Sequence, residues 1–281
     1  MSEFLNAVGQ YAFLRHALLA GALAAVACGV VGSFVIVRRI VFISGGIAHT
    51  VLGGMGIAYW MGADPLYGAL VASLVAALTI GLVSLRVREH EDTVIGALWA
   101  VGMAVGILFI ARAPGYNVDL MSYLFGDILL VDHRGLMLIG ALDAAILAVV
   151  ALRYRQLMAV CFDEEHARLQ GINVEVNYLL LLCLIALTVV TLIQVVGLIL
   201  VIALLTLPAA IAHQYVRSMA AMMAVAVVLG FGFTVAGLAA SYRPDLPTGA
   251  TIVLLAGAAY LASAVGKAFW NRWRRRRMNN K

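Results

Sequence analysis

Charged residues leave long uncharged, apolar runs between them. The runs are His16–Val37, Ile40–Ala63, Pro65–Leu85, Thr93–Ala111, Gly135–Leu152 (broken only by Asp143), Val176–Val216, Ser218–Tyr242 and Leu246–Gly266. A helix needs about 20 such residues to cross a hydrocarbon layer about 30 Å thick. Most of these runs fit one crossing each. Val176–Val216 holds 41 residues and as a single helix would reach roughly 60 Å, twice that thickness. It must cross twice or contain a re-entrant piece, with the break at Gln194 and Gly197 and a second distortion at Pro208. The pattern predicts an all-α polytopic membrane protein with about nine transmembrane helices. The alternative is eight, with one run not crossing. One domain, 1–281, holds the bundle over residues 12–266.

A charged island interrupts this pattern at Cys161-Phe-Asp-Glu-Glu-His-Ala-Arg-Leu-Gln-Gly-Ile-Asn-Val174. Asp163 stands where an N-cap belongs, and Glu164 and Glu165 follow where the helix dipole favours negative charge. Gly171 stands where a helix stops in a left-handed residue. The stretch between them is enough for about two turns, too short to be stable alone in water. Two readings stay open: a short interfacial helix bridging two spans, or a docking knob for a soluble partner.

Composition agrees with the pattern, at 64 % apolar and 12 % charged, about half the charge of an ordinary soluble domain. The net charge of +5 is not a nucleic-acid footprint, because Lys267, Arg272, Arg274, Arg275, Arg276, Arg277 and Lys281 supply seven positive charges and leave −2 for the other 266 residues. The basic tail, 267–281, suits an anionic lipid surface. With that tail in the cytoplasm, alternation of nine spans puts fifteen Lys and Arg inside and four (Arg15, Arg112, Arg134 and Arg243) outside. Segment 163–171 then lies inside, and the amino terminus outside. Met1 to Gln10 carries Glu3 and no basic residue, so the first span is expected to act as its own insertion signal. Cys28, Cys161 and Cys183 have neither disulfide-framework nor zinc spacing. No GxxxxGK[ST] run occurs, so any ATP must be held by another subunit.

Candidate chemistry is sparse. His49 lies within an apolar run and is read as a metal ligand or as a satisfied bundle residue. Gly45 and Gly46 could loosen the start of the second span near a pathway, whereas most other glycines serve packing. Asp143 lies mid-span, where an ionised carboxylate is costly unless paired, and is read as structural or as a pathway group. His213 suits an interfacial position, His90, Glu91 and Asp92 a solvated network beside Arg86 and Arg88, and Asp64-Pro65 an outside turn. The loop Arg112–Arg134, with its Met121–Phe125 patch, is a landing surface for an external protein or a plain lid.

Five stretches, in order, resemble the permeases of metal-type ABC importers, which bring zinc, manganese or iron(II) into bacteria. They are Arg38-Arg-Ile-Val-Phe-Ile-Ser-Gly-Gly-Ile-Ala-His49, Glu91-Asp-Thr-Val-Ile-Gly96, Ser122-Tyr-Leu-Phe-Gly-Asp127, the segment Val196–Ala212 ending in Pro-Ala-Ala-Ile-Ala, and Leu246-Pro-Thr-Gly-Ala-Thr-Ile252. The resemblance runs from Leu18 to Gly266. It implies a homodimer in the bacterial inner membrane with a translocation path at its interface. It also implies two cytoplasmic ATP-binding subunits and an extracytoplasmic metal-binding protein. The metal ion is transported substrate, and no permanently bound cofactor is expected. Asp163–Gly171 matches the family's coupling helix, with Asp163, Glu164, Glu165, Ala167, Arg168 and Gly171 as its residues, which favours docking over the interfacial reading. Many members carry an aspartate four residues before the histidine that matches His49; here that position is Gly45.

Other classes are a permease for a metal chelate, which typically has a longer chain, and an ion-gradient-driven secondary transporter, for which the interior offers only Asp143 and His49. An intramembrane enzyme is disfavoured by the lack of Gly-x-Ser-x-Gly, paired membrane carboxylates or HExxH.

Overall fold

The computed structural model describes residues 8–86, 91–113, 126, 128–242, 244 and 246–279. Arg88, His90, Arg243 and the Met121–Phe125 patch lie outside these, as does all but Gly126 of the Ser122–Asp127 motif. The described residues form nine α-helices and a 3₁₀ turn, Ile128–Leu130: α1 (Ala12–Arg38), α2 (Val41–Trp60), α3 (Pro65–Arg86), α4 (Glu91–Arg112), α5 (His133–Phe162), α6 (Glu164–Leu169), α7 (Val174–Tyr215), α8 (Met219–Tyr242) and α9 (Thr248–Asn279). Eight of them are long and apolar enough to cross a membrane, α7 by its first leg, Val174–Ile193. The ninth expected crossing is the second leg, Leu200–Tyr215, which is shorter than the others.

Gly197 separates the two legs with φ 70° and ψ 171°, a backbone region essentially restricted to glycine. Pro208 leaves the backbone helical, so the predicted second distortion is absent. A proline inside a helix forfeits one backbone hydrogen bond, and here the packing of the second leg holds the helix through it. The legs double back. Tyr178, at the start of α7, lies under Arg38 at the end of α1. Ala209 and Ala212, near the end of α7, pack with Ile36 and Val37. Both ends of α7 therefore sit at the end of the bundle where α1 finishes.

Other elements meet at this Arg38 end. Ser84 of α3 bonds Tyr178, Val160 of α5 accepts from Arg38, and Lys267 of α9 donates to the carbonyl of Gln214. Glu91, at the start of α4, lines a cavity with Arg38. The first residues of α1 and the last residues of α9 consequently lie at opposite ends of the bundle.

The core is α1, α2 and the first leg of α7, whereas α4, α5 and α9 turn most of their surface outward. Between helices in lipid the hydrophobic drive is weak, and close van der Waals approach replaces it. Two contacts show how close. A Cβ placed on Gly32 would lie 1.9 Å from the carbonyl oxygen of Leu205, and one on Gly54 would lie 2.2 Å from that of Gly68. Even alanine at either position would force helices apart, at a cost of about 1–3 kcal/mol.

Candidate functional site

The sequence candidates separate into three places. The first is the seam between α2 and α4. Gly45 and His49 are one turn apart on α2, and the His49 Nδ1 lies 2.8 Å from the carbonyl oxygen of Gly45. A carbonyl can only accept, so Nδ1 carries the proton and Nε2 presents its lone pair. The imidazole is half-buried and stacks on Trp99 of α4, with ring centroids 3.9 Å apart and planes 18° from parallel. Trp99 also meets Phe42, at 6.0 Å. Thr50 pins the seam by donating to the carbonyl of Gly46 at 2.7 Å and reaching that of Leu98 at 3.2 Å. A Cβ on Gly46 would fall 2.5 Å from Ile95. Gly45 and Gly46 are both helical and buried, and they admit α4 to close contact.

The second place holds Asp143, in the first half of α5. Its side chain is 2 % exposed, and neither carboxylate oxygen has a hydrogen-bond partner among the described residues. Asp143 lies near Cys28 of α1, in a helix that packs on α1 and α7. It is not part of the His49 seam.

The third place is α6, the charged island. Asp163 is its N-cap, accepting from the amide of His166 at 2.9 Å. The far end closes with Gly171 at φ 77° and Ile172 N–H bonded to the Ala167 carbonyl at 3.0 Å. Ala167 points inward and is fully buried. Glu164 also points inward and forms an ion pair with Arg38. The Arg38 guanidinium donates to the Val160 carbonyl at 3.2 Å and lies 5.4 Å from the centre of the Tyr178 ring. Tyr178 in turn reaches Ser84 at 3.1 Å. One arginine thus ties α6 to α1, α5 and α7, beside a polar cavity of about 380 Å³ that also involves Arg39, Ser84 and Glu91. Glu165, Arg168 and Leu169 face outward, and Leu169 is 86 % exposed.

The remaining candidates are scattered. His213 is exposed in the last turn of α7, and Asp92 is exposed near the start of α4. Asp64 caps α3, accepting from the amide of Leu66 at 2.9 Å. Among the described residues no three His, Cys, Asp or Glu side chains converge as a metal cluster. Sequence reasoning missed Trp99 as the wall behind His49 and Arg38 as the anchor of α6. The Arg38-Arg39 pair was a weak signal, since Arg39 takes a left-handed φ of 63° to end α1. Nothing in the apolar run around Trp99 pointed to His49.

A family model, the ABC 3 transport family, matches residues 10–267. An uncharacterised membrane protein of Synechocystis is 49 % identical over 263 residues, covering 94 % of each chain. The manganese transport system membrane protein MntC of Halalkalibacterium halodurans is 36 % identical over 256 residues, covering 91 % of this chain and 88 % of that one. Among solved structures, PsaBC from Streptococcus pneumoniae in complex with Fab superposes with a TM-score of 0.85 at 33 % identity, over 93 % of this chain and 94 % of its own. Sequence and fold converge on one assignment: the chain belongs to the ABC 3 transport family and is a multi-pass permease of the metal-type ABC importers.

Proposed function

We propose that this permease takes up a divalent transition metal across the bacterial inner membrane by alternating access. It works as a homodimer with two ATP-binding subunits and an extracytoplasmic metal-binding protein. The manganese named for the Halalkalibacterium relative supports the cargo class, a first-row divalent ion. In this reading the Arg38 end faces the cytoplasm. Most Lys and Arg outside the apolar runs belong to that end, as the positive-inside rule requires. The metal-binding protein then delivers at the opposite end. His49 is the ligand that each copy offers to the path through Nε2, with Gly45 beside it.

The observation that carries this reading is α6. A helix of six residues does not hold itself together in water. This one is capped at both ends, anchored by Glu164 on Arg38, and presents Leu169 almost fully exposed between polar neighbours. That is the form of a rigid peg with an apolar tip. ATP-driven closure of the partner subunits would push two such pegs together and tilt the attached helices as bodies.

Leu169→Asp tests it. The docking reading expects the ATP-binding subunit to be lost on co-purification, with the permease still folded in the membrane. Retention of that subunit at the wild-type level would instead support an interfacial helix.

A further inference from the structure

The seam around His49 carries a statement about cargo that the family assignment does not. Side chains at i and i+4 share one face of a helix, so a carboxylate at position 45 would stand beside the imidazole as a second ligand. In this chain that place is narrowed by side chains of neighbouring helices. A Cβ on Gly45 would lie 3.1 Å from Cζ3 of Trp99 and 3.6 Å from its Cη2, with Cδ1 of Ile202 also at 3.6 Å. An aspartate would press on the indole, which would have to give by a few tenths of an ångström.

The groups that remain offer one nitrogen donor and no carboxylate. An indole has an N–H to donate and no lone pair to give a metal. The Gly45 carbonyl is engaged by Nδ1–H. The Thr50 hydroxyl donates toward backbone carbonyls and keeps only neutral oxygen lone pairs. Nε2 of His49 is left, on a ring whose orientation is fixed by that Nδ1 bond and by the Trp99 stack. Such outer partners set how a ligand is presented.

Taking the chain as a metal importer, on which this step rests, we infer that Gly45 and Trp99 together set its selectivity, favouring an ion that prefers imidazole to oxygen ligands, zinc before manganese. Manganese binds most weakly in the divalent first-row series and is suited to carboxylate, carbonyl and water, whereas imidazole suits zinc. The aromatic wall also closes one side of the imidazole to the water molecules from which manganese would build an octahedral shell. The manganese named for a 36 % identical relative does not fix the ion here.

The test uses the whole transporter in cells lacking their own zinc and manganese importers. The same metal-binding protein is present throughout, so any change in preference belongs to the permease. The readout is the ratio of radioactive zinc to manganese taken up. Wild type is expected to favour zinc, and the double variant Gly45→Asp/Trp99→Leu to shift the ratio toward manganese by roughly tenfold, the lower end of what ligand-environment changes produce. Trp99→Leu alone covers the case in which the double variant fails to accumulate. It is expected to lower the ratio several-fold, and Trp99→Phe to restore it. An unmoved ratio in whichever variant accumulates, or a wild type that takes manganese as readily as zinc, overturns the inference while leaving the importer intact. Wild-type cells that accumulate neither metal would overturn the importer reading, and this inference with it.

Discussion

At the scale of single residues, His49 and Asp143, two of the polar groups within the spans, have different surroundings and different expected roles. His49 has a defined tautomer, an aromatic wall and an open nitrogen. His49→Ala should lower metal uptake at least tenfold while the protein still accumulates and purifies at its wild-type size. Loss of the folded protein would mean that the ring serves the bundle instead. Asp143 has no partner on either oxygen among the described residues, and an unpaired polar group in an apolar interior costs about 1–3 kcal/mol by protein measurements. Asp143→Leu, with the same number and branching of side-chain heavy atoms, should therefore raise the thermal midpoint in detergent and leave uptake intact. A variant that is equally stable but no longer transports would place Asp143 on the path. Both residues stood out in the sequence, because each is polar within an apolar run. Trp99, fifty positions from His49, did not, because an aromatic in an apolar helix looks the same facing lipid, core or ligand.

At the scale of elements, α6 was legible almost to the residue. Its cap, first-turn acids and terminal glycine are local signals, and local signals survive without knowledge of the fold. Its anchor was not legible, since Arg38 precedes Glu164 by 126 positions. The ion pair is about one-fifth exposed on each side, so screening limits it to about 1 kcal/mol, and the Tyr178 stack adds about 0.5–1 kcal/mol. Arg38→Gln should accelerate hydrogen exchange of the 164–169 amides about five- to thirtyfold, as a local loss of 1–2 kcal/mol requires. Exchanging the charges, Arg38→Glu with Glu164→Arg, should recover part of that protection. Equal exchange rates in all three proteins would show that α6 is held by its packing alone. Charge-free intervals located the spans but not the helix ends. Arg153 and Arg155 closed the fifth interval, yet α5 runs on to Phe162, because a helix can leave the hydrocarbon layer and continue in water. The break in the longest run was legible for a geometric reason: 41 residues exceed one crossing, and Gly197 was the residue free to turn.

At the scale of the whole molecule, the hairpin in α7 decides the arrangement. It returns the chain to the Arg38 end, brings the ends of α1, α3, α5 and α9 together there, and leaves the start of α1 at the opposite end. The sequence could count crossings but could not say that the return leg is the short one, since leg length depends on where α8 and α1 pack against it. Basic residues, α6 and the polar cavity collect at one pole, and the His49 seam lies within the apolar layer. In the proposed reading a permease built this way has a path and a handle, and its driving force comes from another subunit. Reconstitution in sealed vesicles with the ATP-binding subunit and the metal-binding protein measures this most directly. Metal should accumulate only when all three proteins and ATP are present, and accumulation driven by a proton or sodium gradient across vesicles holding this chain alone would contradict it.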